Sequence, residues 1–226
     1  MKKVSDAIRK RLIDAKIDFK SNDNIFQYLE PGELEQIEKE VEQAFVHVLD
    51  SLVIDRANDH NSADTPRRLA KMFCREVFNG RYVPSPKITA FPNAAKYDQL
   101  YVVGPIAINS TCAHHWMPFN GFVWVGVTPG SKVIGLSKFH RLCKHYAERP
   151  QIQEELCENL AAAIQEATEA DGVAVLIKAK HFCVCNRGVK DTSSQMVTSK
   201  LLGKLREEPS LKQEFFQIVD TLREPS

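Results

Sequence analysis

Two short clusters hold the residues most able to do chemistry. Cys112-Ala113-His114-His115 and, far downstream, His181-Phe182-Cys183 together supply two thiols and three imidazoles. Cys112 and His115 have the C-x-x-H spacing from which two ligands reach one ion, and Cys183 can close a Cys2His set. Three protein ligands leave a tetrahedral ion one position for water, whereas a structural site normally fills all four, so the pattern points to catalysis rather than stapling. Taken singly, each of these residues would read as a core group, because Cys is among the most buried residue types and His is readily satisfied inside a protein. Taken together they favour a site. From Val173 the sequence alternates with period two, so a strand is expected through Cys183. Val175, Ile177, Ala179, His181 and Cys183 then share one face, and Lys178 and Lys180 the other. His114 and His115, read as extended chain, point to opposite sides, so only one of them is expected to ligate; the residues themselves leave open which.

The elements that must position these clusters follow from periodicity. Leu34, Ile37, Val41, Phe45, Val48 and Leu52 recur at helical spacing, which predicts an amphipathic helix from Gly32 to about Ile54 whose apolar stripe needs a partner. Thr65 and Pro66 read as an N-cap and first-turn pair of a helix ending near Gly80, and Pro84, Pro86 and Pro92 mark an extended connector. Strand composition begins at Tyr101 to Val103, returns at Ile106 to Ile108 and Phe122 to Val127, and turns at Pro129-Gly130 into Val133-Ile134. Ser137 is expected to cap a helix to about Tyr146, and Pro150 to open another carrying Leu156, Leu160 and Ile164. A strand near Met196 to Leu201 and a helix from Ser210 to Leu222 complete the order. Strand pair, two helices, strand pair is an α+β sequence of elements rather than an alternating βαβ one.

Composition sets bounds. The 226 residues carry a formal charge of +1, with 43% hydrophobic and 26% charged residues, which suits one sizeable domain plus an extension and gives no global pull on nucleic acid or an anionic membrane. No GxGxxG or Walker loop is present. No apolar run approaches a membrane span, and the N-terminus meets Asp6 and Arg9 before any signal-like stretch, so a cytoplasmic protein is expected. Six cysteines are too sparse for a disulfide scaffold; Cys74, Cys143, Cys157 and Cys185 are expected as reduced thiols.

Five ordered segments carry a resemblance. They are Thr65-Pro66-Arg67-Arg68-Leu69-Ala70-Lys71-Met72, Cys112-Ala113-His114-His115, Gly135-Leu136-Ser137-Lys138-Phe139-His140-Arg141, Arg149-Pro150-Gln151-Ile152-Gln153-Glu154, and His181-Phe182-Cys183-Val184-Cys185-Asn186-Arg187-Gly188. In these the chain resembles GTP cyclohydrolase I from about Asp64 to its last helix. The resemblance implies Zn2+ held by Cys112, His115 and Cys183, with His114 and His181 as proton-transfer groups. It implies Lys138, Arg141, Arg187 and Arg68 around a triphosphate, Ser137 at the ribose or a phosphate, and Glu154 reading the guanine edge, with Glu155 as a plain surface charge. It further implies conversion of GTP and water to 7,8-dihydroneopterin triphosphate and formate. The implied architecture is the tunnelling fold, a four-stranded antiparallel sheet with helices on one face. Subunits would join into a barrel ring, and rings into a homodecamer with active sites between subunits. On this reading residues 1–62 form a helical extension and 63–226 the catalytic domain. One departure stands out: the family usually has Glu where this chain has Ala113, so a carboxylate that would orient the site or handle a proton is absent. That motivates two rivals, a paralogue altered in step or substrate and a non-catalytic GTP-binding paralogue. A zinc-stapled nucleic-acid module is disfavoured by the wide separation of the clusters and the near-neutral charge.

Overall fold

The computed structural model describes residues 3–222; the outermost residues of the two expected segments, 1–2 and 223–226, lie outside it. The chain forms two compact units, residues 1–84 and 85–226. No helix among the described residues is long and apolar enough to cross a membrane.

The first unit is helical: α1 (Val4–Asp14), α2 (Glu33–Ser51), α3 (Thr65–Met72), a π-helical turn (Phe73–Val77) and α4 (Asn79–Tyr82). Ile8, Leu12 and Ile25 are its buried centre, with Ile37 and Tyr82 packed against them. The α2 stripe is only partly covered, since Val48 and Leu52 stay exposed. Phe45 stacks on Phe73 at 5.5 Å, and Arg75 bonds Glu38 at 2.9 Å and Glu35 at 2.8 Å. The helix expected from Thr65 to Gly80 is interrupted by the π turn, and Asp64 rather than Thr65 takes the N-cap position. Helix α3, where the first matching segment begins, thus packs with the helices before it.

The second unit holds β1 (Ala90–Pro92), β2 (Tyr101–Cys112), β3 (Pro118–Thr128), β4 (Lys132–Ile134), α5 (Leu136–Ala147), β5 (Pro150–Gln151), α6 (Gln153–Thr168), β6 (Gly172–His181), α7 (Phe182–Cys185), β7 (Met196–Gly203), α8 (Lys204–Glu207) and α9 (Pro209–Thr221). Its main sheet runs β5-β2-β3-β6-β7. The four long strands are antiparallel neighbours, and β5 adds a two-residue parallel edge beside Thr111 and Cys112. The two apolar runs expected after Tyr101 are one strand with a register shift between Val103 and Ile106, where Pro105 lacks the N–H needed to continue the ladder.

Alternation along β3 and β6 decides the layers. Val123, Val125, Val175 and Ile177 face Phe139 of α5 and Leu160 and Ile164 of α6 in one core. Trp124, Ala174 and Leu176 face the other way, onto Leu205 and Phe215. The expectation of helices on one face is therefore corrected: β6 is apolar on both sides, and α8 and α9 cover the second. A Cβ at Gly126 would stand 2.6 Å from Phe215, so the absent side chain permits that approach.

Four further expectations change. Val133-Ile134 does not fold back on β3; it pairs with Ala90-Phe91 in a separate two-stranded sheet. Gly135, not Ser137, is the N-cap of α5. Pro150 enters a strand edge, and α6 begins only at Gln153. The strand expected through Cys183 ends at His181, and Cys183 lies in the short helix α7.

A buried polar cluster locks β2, α5 and β5 together. The fully buried Gln151 donates from Nε2 to the Tyr146 carbonyl at 2.6 Å and to Ser110 Oγ at 3.3 Å. Nearby, Arg149 Nη2 donates to His145 Nε2 at 2.6 Å, and both side chains are buried. Burial, reinforced by the Arg149 charge, pushes His145 down to about 4 from an ordinary 6.5. Between those values the unfolded chain binds a proton that the folded one refuses, so stability falls as pH drops from 6.5 towards 4, by about 3 kcal/mol for this group. Denaturant unfolding across that range should show the slope, and His145→Gln should remove most of it; an unchanged slope would contradict the assignment.

Candidate metal centre

The two clusters meet because they flank one strand. The first residues of β3 pair on both sides, Pro118 with Thr111 of β2 and Phe119 with His181 of β6. The end of β2 and the end of β6 are thereby held at the same end of the sheet. Cys112 is the last residue of β2 and is buried. The chain turns over residues 113–115, closed by Trp116 N–H to the Cys112 carbonyl at 2.9 Å and Cys112 N–H to the Met117 carbonyl at 2.8 Å, with Trp116 at φ 51°. The extended reading of His114-His115 is thus replaced by a tight turn, which carries both imidazoles out to the surface. Ala113 N–H bonds the Gln151 carbonyl at 3.1 Å, tying the turn to β5.

One ligand atom each from Cys112, His115 and Cys183 lies within 4.8 Å of the other two. Tetrahedral zinc, with bonds of about 2.3 Å to sulfur and about 2.0 Å to nitrogen, needs its ligand atoms roughly 3.5–3.8 Å apart, so a contraction of no more than about 1.3 Å closes the set. Burial and the neighbouring Cys112 raise the Cys183 thiol above its ordinary range. Two adjacent thiols resist ionising together, and a divalent cation between them removes that penalty. Buried Cys112 walls one side, while exposed His115 leaves another open to solvent. The donor set fits a zinc ion with an open position.

One further imidazole stands beside this set, and another belongs to the residue two before Cys183. His114 Nδ1 is 3.6 Å from Cys112 Sγ, and its ring centre is 6.4 Å from that of His115. His181 stacks on Phe119, centroids 4.7 Å apart, and its Nε2 lies 2.8 Å from Gln153 Oε1. Burial lowers the His181 pKa, and the charge of Glu154 partly opposes this. Glu154 is exposed in the first turn of α6. Exposed Arg187 donates from Nη1 to His115 Nε2 at 3.1 Å. Ser137, Lys138 and Arg141 occupy the first turns of α5, and Lys138 Nζ lies 3.5 Å from the Lys87 carbonyl. Arg68 belongs to α3 in the first unit. Sequence reasoning passed over Gln153, Gln151, Ser110 and Arg149 as site-shaping groups. The one available signal was two glutamines, one just before and one opening an amphipathic helix, where a solvated side chain is the ordinary reading.

Comparison with known proteins agrees with the ordered segments. The sequence model of the GTP cyclohydrolase I family matches residues 41–220. Proteins named GTP cyclohydrolase 1 are similar over most of their length: one from Actinobacillus pleuropneumoniae serotype 5b is 42% identical over 182 residues, covering 80% of this chain and 83% of that one. One from Pasteurella multocida is 40% identical over 181 residues, 80% and 83%, and one from Haemophilus influenzae is 39% identical over 192 residues, 84% and 88%. Among solved structures, the archaeosine synthase QueF-Like in the apo form overlaps with a TM-score of 0.35 at 17% identity, over 53% of this chain and 97% of that chain, too weak a likeness to define the fold.

Replacing either thiol should abolish stoichiometric metal. Cys112→Ser and Cys183→Ser are expected to lose zinc affinity by ~10²-fold or more while keeping the far-UV spectrum. Zinc content after gel filtration, measured by elemental analysis, checks this; full retention of metal in either variant would exclude that residue as a ligand.

Proposed function

The chain belongs to the GTP cyclohydrolase I family, and from that membership we propose that it is a zinc-dependent enzyme converting GTP and water to 7,8-dihydroneopterin triphosphate and formate. The observation that carries the reading is the convergence of Cys112, His115 and Cys183 within 4.8 Å at one end of the sheet, with His114 beside Cys112 and His181 two residues before Cys183. Cys112, His115 and Cys183 would hold the zinc, and a metal there would activate water at neutral pH for addition at the weakly electrophilic C8 of guanine.

The remaining work falls to this chain's side chains. His114 and His181 exchange protons with the ring nitrogens as the imidazole ring opens and formate leaves, the general acid–base work for which histidine is most often used. Glu154 accepts from the N1–H and exocyclic amino group of guanine and repels the lone pair at adenine N1. Lys138, Arg141, Arg187 and Arg68 neutralise the triphosphate, and Ser137 binds the ribose or a phosphate at the first turn of α5, whose dipole favours an anion. Amadori rearrangement of the ribose and closure to the pterin complete the sequence.

We assign residues 1–62 as the helical extension and 63–226 as the catalytic domain, which gives Arg68 to the substrate site. The four long antiparallel strands, with β7 at one edge, support a tunnelling-fold subunit that joins others into a homodecameric barrel assembly in the cytoplasm. A second reading is favoured by one residue. Ala113 supplies no carboxylate, and a paralogue that stops early or only binds GTP would tolerate that loss.

Incubation of zinc-loaded protein with GTP, following formate and pterin absorbance together, tests the proposal: equimolar release of both is expected. Formate without pterin would establish the step-altered paralogue, and tight GTP binding without turnover the non-catalytic one. His114→Ala and His181→Ala should each keep zinc and lose ~10²-fold or more in rate. Glu154→Ala should lower the preference for GTP over ATP by roughly 10- to 100-fold, the worth of a charge-assisted hydrogen bond; an unchanged preference would remove Glu154 from the guanine role.

A further inference from the structure

We propose that Gln153 is a positioning residue that fixes the tautomer and the in-plane orientation of His181, so that this imidazole exchanges protons through Nδ1 alone. The inference rests on the reading of His181 as a proton-transfer group, and it is carried by a chain of forced hydrogen-bond roles. Gln153 is fully buried. Its Nε2 lies 3.1 Å from the Ile177 carbonyl, 3.2 Å from the Met196 carbonyl and 3.0 Å from Thr198 Oγ1. Carbonyl oxygens only accept, so the amide NH2 must face them, and the side chain has no freedom to flip. Its Oε1 then faces His181 Nε2 at 2.8 Å. An amide oxygen can only accept, so His181 must present N–H at Nε2. The proton of the neutral ring is assigned to Nε2, and Nδ1 is left as the one ring nitrogen with a lone pair.

Two restraints hold the ring. Gln153 fixes it in plane, while Phe119, itself fully buried, stacks on its face with 8° between the ring planes. Both anchors belong to the scaffold: the Gln153 amide bridges the start of α6 to β6 and β7, and Phe119 is the β3 residue paired with His181. A ring held in this way spends none of the substrate's binding energy on orientation. Loss of the amide should therefore appear in turnover rather than in substrate affinity.

Neutron crystallography of the zinc-loaded wild-type protein at about pH 8, above the ordinary histidine range, reads the proton directly. Deuterium at Nε2 of His181 with a bare Nδ1 is expected; deuterium at Nδ1 would overturn the proposal. This result is independent of turnover and needs no variant to fold. In parallel, Gln153→Met keeps the length of the side chain and removes both its acceptor and its donors. It should lower kcat for formate release by ~10²-fold with KM within about twofold. A kcat within about threefold of wild type, or a loss confined to KM, would show that His181 does not depend on the amide. Failure of the wild-type protein to release formate from GTP would instead count against the proposed reaction, leaving the proton position as found.

Discussion

The register of β3 is the constraint on which the rest depends. Pro118 and Phe119 pair with Thr111 on one side and His181 on the other, and this brings together two sequence clusters that have no local reason to meet. A slip of one residue in either ladder would turn the neighbouring strand's side chains to the opposite face. The slip is opposed by the core itself: Val123, Val125, Val175, Ile177 and Phe119 are all fully buried and would have to leave it. Hydrophobic burial across the middle of the sheet thereby sets the positions of thiols and imidazoles at its end.

Polar groups then sharpen what the core makes coarse. Gln151 and Gln153, both without solvent exposure, tie the β2 end to β5 and α5, and the α6 start to β6 and β7. A buried amide costs stability unless its hydrogen bonds are made; Gln153 makes them through both its nitrogen and its oxygen, and Gln151 through its nitrogen. The metal candidates follow the same logic. Two thiols pressed together are disfavoured as a pair of anions, and the cation that relieves this gains affinity from the same crowding. A site of this kind is assembled by folding and completed by its ion.

Much of this was legible in the sequence, and the losses have physical reasons. Cys112, His115, His181 and Cys183 stood out because their types and spacing have few other uses, and the α+β order followed from periods of two and 3.6. The strand end is not legible because Phe182 and Val184 keep an apolar pattern through α7, and period alone does not separate the last strand residues from one helical turn. Proline suits a first turn, so Pro150 reads as a helix start, yet it lies in the strand edge β5, with the buried Gln151 beside it. The cover on the second face was missed because Trp124, Ala174 and Leu176 gain their meaning only once β3 and β6 are paired and α9 is laid across them. Gln153 gave almost no signal: a glutamine at a helix start is ordinarily solvated, and only tertiary contacts make it a clamp.

X-ray absorption at the zinc edge of the purified, zinc-loaded protein addresses the central claim most directly. Two sulfur ligands at about 2.3 Å, with one nitrogen and one further oxygen at about 2.0–2.2 Å, are the result required by an open Cys2His site. A sphere filled by four protein ligands, or one holding a single sulfur, would contradict the shared ion on which the proposed chemistry stands.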